Sequence, residues 1–154
     1  MSDTGVTGAD ILSAPHVLEY PYTRSVGPVI GRFLAGLKEG RIEGVRASDG
    51  RVIVPPLEYD PWTAAPLTEF VPVGQSGVVT TWAWIPEPRR YHPLDRPFAW
   101  ALIRLDGADT ELLHAVDAGD PSRMRSGLRV RARWRQERVG DIRDIECFEP
   151  EEAP

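Results

Sequence analysis

From Pro28 to about Glu39 the apolar residues Val29, Ile30, Phe33, Leu34 and Leu37 recur at i, i+3, i+4 spacing, the period of a helix with one buried face. Pro28 suits its first turn and Gly40 its end, so one amphipathic helix of about three turns is predicted. Arg32, Lys38 and Glu39 would keep its other face wet. Ahead of it Pro15 and Pro21 break any periodicity, and the first two dozen residues read as an extended arm. Leu18, Tyr20 and Tyr22 in that arm need a surface, either the chain's own domain or a partner subunit.

After Gly44 the period becomes two. Short β-branched runs at 51–54 and 68–73 precede "GVVTTWAWI" (77–85), whose alternation puts Val78, Thr80, Trp82 and Trp84 on one face and Val79, Thr81, Ala83 and Ile85 on the other. "PFAWALIRL" (97–105) follows the charged, proline-rich loop "EPRRYHPLDR" and pairs with 110–116 through a turn at Asp106-Gly107. One helical turn fits within 117–127, and strands at 128–136 and 142–150 complete the set. Seven short strands behind one helix predict a mainly β protein, best matched by a five-stranded OB-fold barrel that starts at residue 77. The expected layout is an extended N-terminal arm (1–27), a helix (28–43), a ribbon-like segment (44–70), the OB-fold (71–150) and an acidic tail (151–154).

Composition limits the function. At 154 residues with 42% apolar content and five Trp, the chain can bury one real core with at most a small appended module. A net charge of −5 and a pI near 5.2 oppose general nucleic-acid binding but allow a local basic stripe. Cys147 is the single cysteine, which rules out an internal disulfide or a thiolate cluster and fits a reducing cytoplasm. Neither a leader pattern nor an apolar run of about 18 residues is present in the sequence, so export and membrane insertion are not expected.

The segment "GVRASDGRVIVPPLEYDPWTAAP" (44–66) has the spacing of two zinc knuckles: Arg46 and Asp49 are three apart, Asp60 and Thr63 are three apart, and ten residues separate the pairs. Cysteines at those four positions would aim four sulfurs at one metal. Here none is Cys or His, and two carboxylates beside an arginine lack the softness and charge balance zinc needs. A ribbon held by packing of Val52, Val54, Leu57, Tyr59 and Trp62 is the alternative.

Further along, Arg129, Arg131, Arg133 and Arg135 form one face of the 128–136 strand. Such a basic stripe can grip phosphates of a nucleic acid or coenzyme A, or pair with acids such as Asp141, Asp144 and Glu146. Trp82, Trp84 and Trp100 offer either base-stacking platforms or core. Arg89, Arg90, Tyr91 and His92, with Asp95, give the 86–97 loop the only histidine in a site-like setting. No Ser-His-Asp or Cys-His set can be assembled by spacing, and no catalytic residue is assigned.

Read in order, "FLAGLKEGRIEGVRASDGRVIVPP", "GQSGVVTTWAWI", "RPFAWALIRLDG", "ELLHAV" and "RSGLRVRARW" resemble the family called domain of unknown function 35, over about residues 28–150. Phe33, Gly36, Leu37, Gly40 and Pro55-Pro56 match its pattern, whereas Arg46, Asp49, Asp60 and Thr63 stand where its four zinc cysteines are usual. The resemblance implies a rubredoxin-like zinc ribbon, here without ligands, joined to an OB-fold. It further implies a non-catalytic partner of thiolase-fold enzymes (the lipid-transfer-protein/thiolase superfamily) in a hetero-oligomer. In actinobacteria the partner is a thiolase-like aldolase that cleaves a steroid acyl-CoA by a retro-aldol reaction. The chain would then need no cofactor, and the coenzyme A thioester would be the substrate of the complex. A free-standing module for acyl-CoA or single-stranded nucleic acid is the other expectation.

Overall fold

A computed structural model of the chain describes residues 13–23 and 25–151. The helix α1 (Gly27–Lys38) has Pro28 in its first turn and buries Val29, Phe33, Gly36 and Leu37. It ends at Gly40, whose φ of +73° is the left-handed conformation that glycine adopts without strain. Arg32 does not simply face water: it pairs with the buried Glu43 (3.0 Å) and stacks on the Phe70 ring at 4.0 Å.

Three strands, β1 (Glu43–Arg46), β2 (Val52–Ile53) and β3 (Phe70–Pro72), form an antiparallel sheet in the order β2-β1-β3. The sequence pattern does not show β1, because Glu43 and Gly44 interrupt its apolar run. Both are buried: Glu43 is neutralised by Arg32 and by Arg41 at 3.3 Å, and a Cβ on Gly44 would lie 2.7 Å from the Ile53 carbonyl oxygen. The remaining strands, β4 (Ser76–Ile85), β5 (Phe98–Leu105), β6 (Leu112–Val116), β7 (Arg129–Trp134) and β8 (Ile145–Pro150), close a barrel in the order β4-β5-β6-β8-β7. That is the OB-fold arrangement. The helical turn between β6 and β7 is a 3-10 turn at Pro121–Arg123, and the expected strand at 142–150 starts later, after a 3-10 turn at Ile142–Asp144.

The expected faces of β4 need correction. Its register with β5 shifts between Val79 and Thr81, a bulge at Thr80 that moves one residue out of the alternation. Val79 therefore shares the barrel interior with Trp82 and Trp84, instead of lying opposite them. The core also takes Ile103, Leu105, Val130, Ile145 and Phe148 from the barrel and Phe33, Leu37, Val52 and Val54 from the helix and ribbon. A second cluster joins Val29 of the helix to Val45, Ala47, Ile53 and Leu67. Its four large aliphatic side chains contribute about 1.5–3 kcal/mol each, against about 1–2 kcal/mol of backbone entropy for every ordered residue. The ribbon therefore depends on docking. Asp109 and Thr110, in the β5–β6 turn, supply it by accepting the Val52 and Val54 N–H groups at 2.8 Å each.

Candidate functional site

The four positions with knuckle spacing carry a polar network. Arg46, Asp60 and Thr63 border one shallow depression of about 260 Å³. Asp60, only 3% exposed, accepts hydrogen bonds from Ser48 N on the first knuckle (2.7 Å) and from Trp62 N and Thr63 N on the second (2.8 and 2.9 Å). One carboxylate thus ties together the two turns that a metal would otherwise join. These donors, Ser48 first, hold its carboxyl well below the usual range. Arg46 is engaged with Glu69 (2.7 Å) and the Gly50 carbonyl oxygen (3.0 Å), Asp49 with the Arg51 backbone and guanidinium, and the Thr63 hydroxyl with Ala65 N. Among the described residues no three His, Cys, Asp or Glu converge in a manner that could hold a metal. With a guanidinium at one position and the buried carboxylate fully used, this donor set does not fit zinc.

Packing does not account for the ribbon as the sequence reading expected. Val52 and Val54 are buried, but Leu57, Tyr59 and Trp62 are exposed, Trp62 by 63%. Its ring lies 4.4 Å from the Arg51 guanidinium. The arm also stands clear: Val17, Leu18, Tyr20 and Tyr22 are 68–73% exposed, so residues 13–23 do not pack on their own domain. A Cβ on Gly27, where the arm joins the helix, would run into the Glu58 carboxylate, which places the arm's root beside Leu57 and Tyr59.

The basic stripe is largely neutralised. Arg129 pairs with Asp106 (2.7 Å) and Glu151 (3.2 Å), Arg131 with Glu149 (2.9 Å), and Arg133 with Asp117, Glu146 and Glu149 at 2.9–3.1 Å. Of the acids expected to serve it only Glu146 does so. Asp141 holds Arg143, and Asp144 is buried, accepting the N–H groups of residues 139–141. Arg135 differs from its three neighbours, donating through Nε to the Arg143 carbonyl oxygen at 2.8 Å.

The 86–97 loop folds over the outer face of the barrel, where Leu94, Phe98, Ala115 and Cys147 form a small cluster with Ile85 and Trp100. His92 is fixed within it: Nδ1 accepts from Arg89 N at 3.0 Å, and the ring meets Phe98 edge-on at 5.5 Å. Arg90 lies over the Tyr91 ring at 5.4 Å. Burial pushes the Cys147 thiol up to about 11 and keeps His114 neutral by lowering its pKa. Between this loop and residues 135–143 runs a groove of about 620 Å³. It brings Arg90, Tyr91 and His92 together with Arg135 and leaves out Trp82 and Trp84, which pack on the barrel core. Sequence reading did not single out Leu113, Ile142 and Arg143 in its wall, because they come from two elements far apart along the chain.

A ligand-free ribbon docked on an OB barrel defines the class of protein. Residues 70–135 match the family model described as the ChsH2 C-terminal OB-fold domain. Two solved structures share the fold. One is a protein of unknown function from the DUF35 family of Sulfolobus solfataricus, 24% identical, with a TM-score of 0.56 over 70% of this chain and 77% of that one. The other is described as an Ltp2-ChsH2(DUF35) aldolase, 17% identical, with a TM-score of 0.60 over 83% of this chain and 98% of that one. No curated protein matches the chain. The chain thus shares the fold of these proteins, its residues 70–135 match the ChsH2 C-terminal OB-fold domain, and its described residues include no cluster that could hold a metal. No helix among the described residues is long and apolar enough to cross a membrane.

Proposed function

We propose that this chain is a non-catalytic accessory subunit of a thiolase-fold acyl-CoA enzyme, an aldolase or thiolase of steroid side-chain degradation, working in the cytoplasm. The observation that carries the reading is the exposed apolar surface of the arm and ribbon. Val17, Leu18, Tyr20 and Tyr22 of the arm and Leu57, Tyr59 and Trp62 of the ribbon are all exposed, a concentration of large apolar side chains of the kind that marks an interaction surface. Tyr, Trp and Arg are the residues that dominate binding energy at protein interfaces, and Trp62 with Arg51 stacked on it is such a pair. The solved structure of the same fold carries two components, Ltp2 and ChsH2(DUF35), in its name as an aldolase, which supports a thiolase-like partner here. In this reading the partner carries the chemistry, while the arm, the ribbon and the 86–97 loop complete its structure and its acyl-CoA channel. The chain's own thiol and buried imidazole are committed to packing.

Co-expression with a thiolase-like protein encoded beside it tests the proposal. The two are expected to co-purify as a stoichiometric hetero-oligomer, and the partner is expected to lose solubility or activity without this chain. A chain that is monodisperse alone and ignores that partner overturns the reading.

A further inference from the structure

The arm offers an unpaired backbone as well as exposed side chains. Residues 13–23 form no helix or strand, and among the described residues the N–H groups of residues 16–20 meet no acceptor. Of their carbonyl oxygens only that of Tyr20 is used, accepting from Tyr22 N at 2.8 Å to close a tight turn about Pro21. Backbone groups left free along such a segment are those that a sheet edge takes up.

Proline sets the limits of this segment. Pro15 and Pro21 have no N–H to give a ladder, oppose helix formation, and hold the residue before each of them extended. His16, Val17, Leu18, Glu19 and Tyr20 between them all keep their donors, and about five to six residues is the usual length of a strand. Alternation in a strand would set His16, Leu18 and Tyr20 on one face and Val17 and Glu19 on the other. Leu18 and Tyr20, both exposed in this chain, would then share a side.

The ribbon sheet beside the arm's root cannot take this strand. The outer edge of β2 is occupied, since Val52 N and Val54 N donate to Asp109 and Thr110. On β3 the backbone groups of Glu69, Val71 and Val73 turn toward β1. That leaves Phe70 and Pro72 facing outward, and Pro72 has no N–H.

We propose that residues 16–20 bind as an added strand, pairing their backbone with an open sheet edge of the partner subunit and seating Leu18 and Tyr20 in apolar pockets beside it. The proposal rests on the accessory-subunit reading and names the mode of attachment. The flanking prolines restrict the free arm, so less conformational freedom is lost on pairing. They also end the added ladder at a fixed length.

Amide hydrogen exchange on the co-purified complex and on the isolated full chain tests it. In the isolated chain residues 16–20 are expected to exchange as fast as an unstructured segment. In the complex alternate amides, those of Val17 and Glu19 or those of His16, Leu18 and Tyr20, are expected to slow by about a hundredfold or more. Substitutions read the same ladder. Proline at a paired position, either Val17→Pro and Glu19→Pro or Leu18→Pro, is expected to weaken association by about tenfold or more beyond alanine at that position, while proline in the other set adds little. Fast exchange throughout 16–20 in a complex that still forms, or equal effects of proline and alanine at all three positions, would overturn strand addition and leave the accessory reading standing. Protection of these amides in the isolated chain would also overturn it, by assigning the strand to the chain's own fold or to a second copy. Absence of any complex would remove both readings.

Discussion

The carboxylate of Asp60 accepts a 2.7 Å hydrogen bond from the backbone N–H of Ser48, across the gap between the two knuckles. Asp60→Ala is expected to leave three N–H groups of the two turns without their acceptor, lowering the melting temperature by several degrees. Hydrogen exchange at Ser48, Trp62 and Thr63 should accelerate while barrel amides such as Val79 keep their protection. Unchanged exchange in the ribbon would show that packing alone holds it.

The same carboxylate makes the ribbon acid-sensitive. Its folded pKa is depressed, so its stabilisation is present in full above the unfolded value of about 4 and is lost as pH falls below that toward the folded value. Ribbon amides are expected to lose protection in that acid range, and Asp60→Asn should abolish the dependence. Elemental analysis should find no stoichiometric zinc, and a chelator should leave the melting curve in place.

For the arginine stripe, stability is expected to depend on how many acids each member meets. Arg133→Ala breaks contacts to Asp117, Glu146 and Glu149 on a half-buried surface and should cost about 1–3 kcal/mol in denaturant unfolding. Arg131→Ala removes one exposed pair and should cost about 0–1 kcal/mol. Equal losses would contradict the pairing seen here.

Deletion of Thr80 tests the bulge. Without that extra residue Val79 and Trp82 stand two apart instead of three, so regular alternation keeps Val79, Trp82 and Trp84 on the barrel face. The deletion variant is expected to retain near-ultraviolet circular dichroism and cooperative unfolding, whereas insertion of one alanine after Thr81, which turns Trp82 and Trp84 outward, should weaken both.

At the proposed interface, Tyr20→Ala with Tyr22→Ala, or Trp62→Ala alone, should leave the isolated chain's stability within about 0.5 kcal/mol of the parent, since these side chains are 63–73% exposed. Affinity for a thiolase-like partner should fall by about tenfold or more. A large stability loss without an effect on association would assign these residues to the chain's own fold.

Much of this architecture is legible in sequence because period and turn chemistry are local. The helix from Val29 to Leu37 and the alternation of Leu128, Val130, Ala132 and Trp134 both appear as read. What escapes is set by distant partners. Glu43 looks unfit for a buried strand until Arg32 and Arg41 meet it, a bulge at Thr80 inverts a face without changing composition, and Asp106, Glu149 and Glu151 reach the stripe from elsewhere in the fold. The groove is the extreme case, since Arg90 and Arg135 are 45 residues apart and converge only when the barrel closes.

The hydrogen bonds of Asp60 also change what the cell must supply. A ribbon clamped by thiolates matures only where zinc is available and sulfur stays reduced, and it can be dismantled by a chelator or an oxidant. One clamped by a carboxylate on backbone amides is finished when the chain folds, so metal scarcity and oxidative stress lose their hold on it and only acid remains as a solvent.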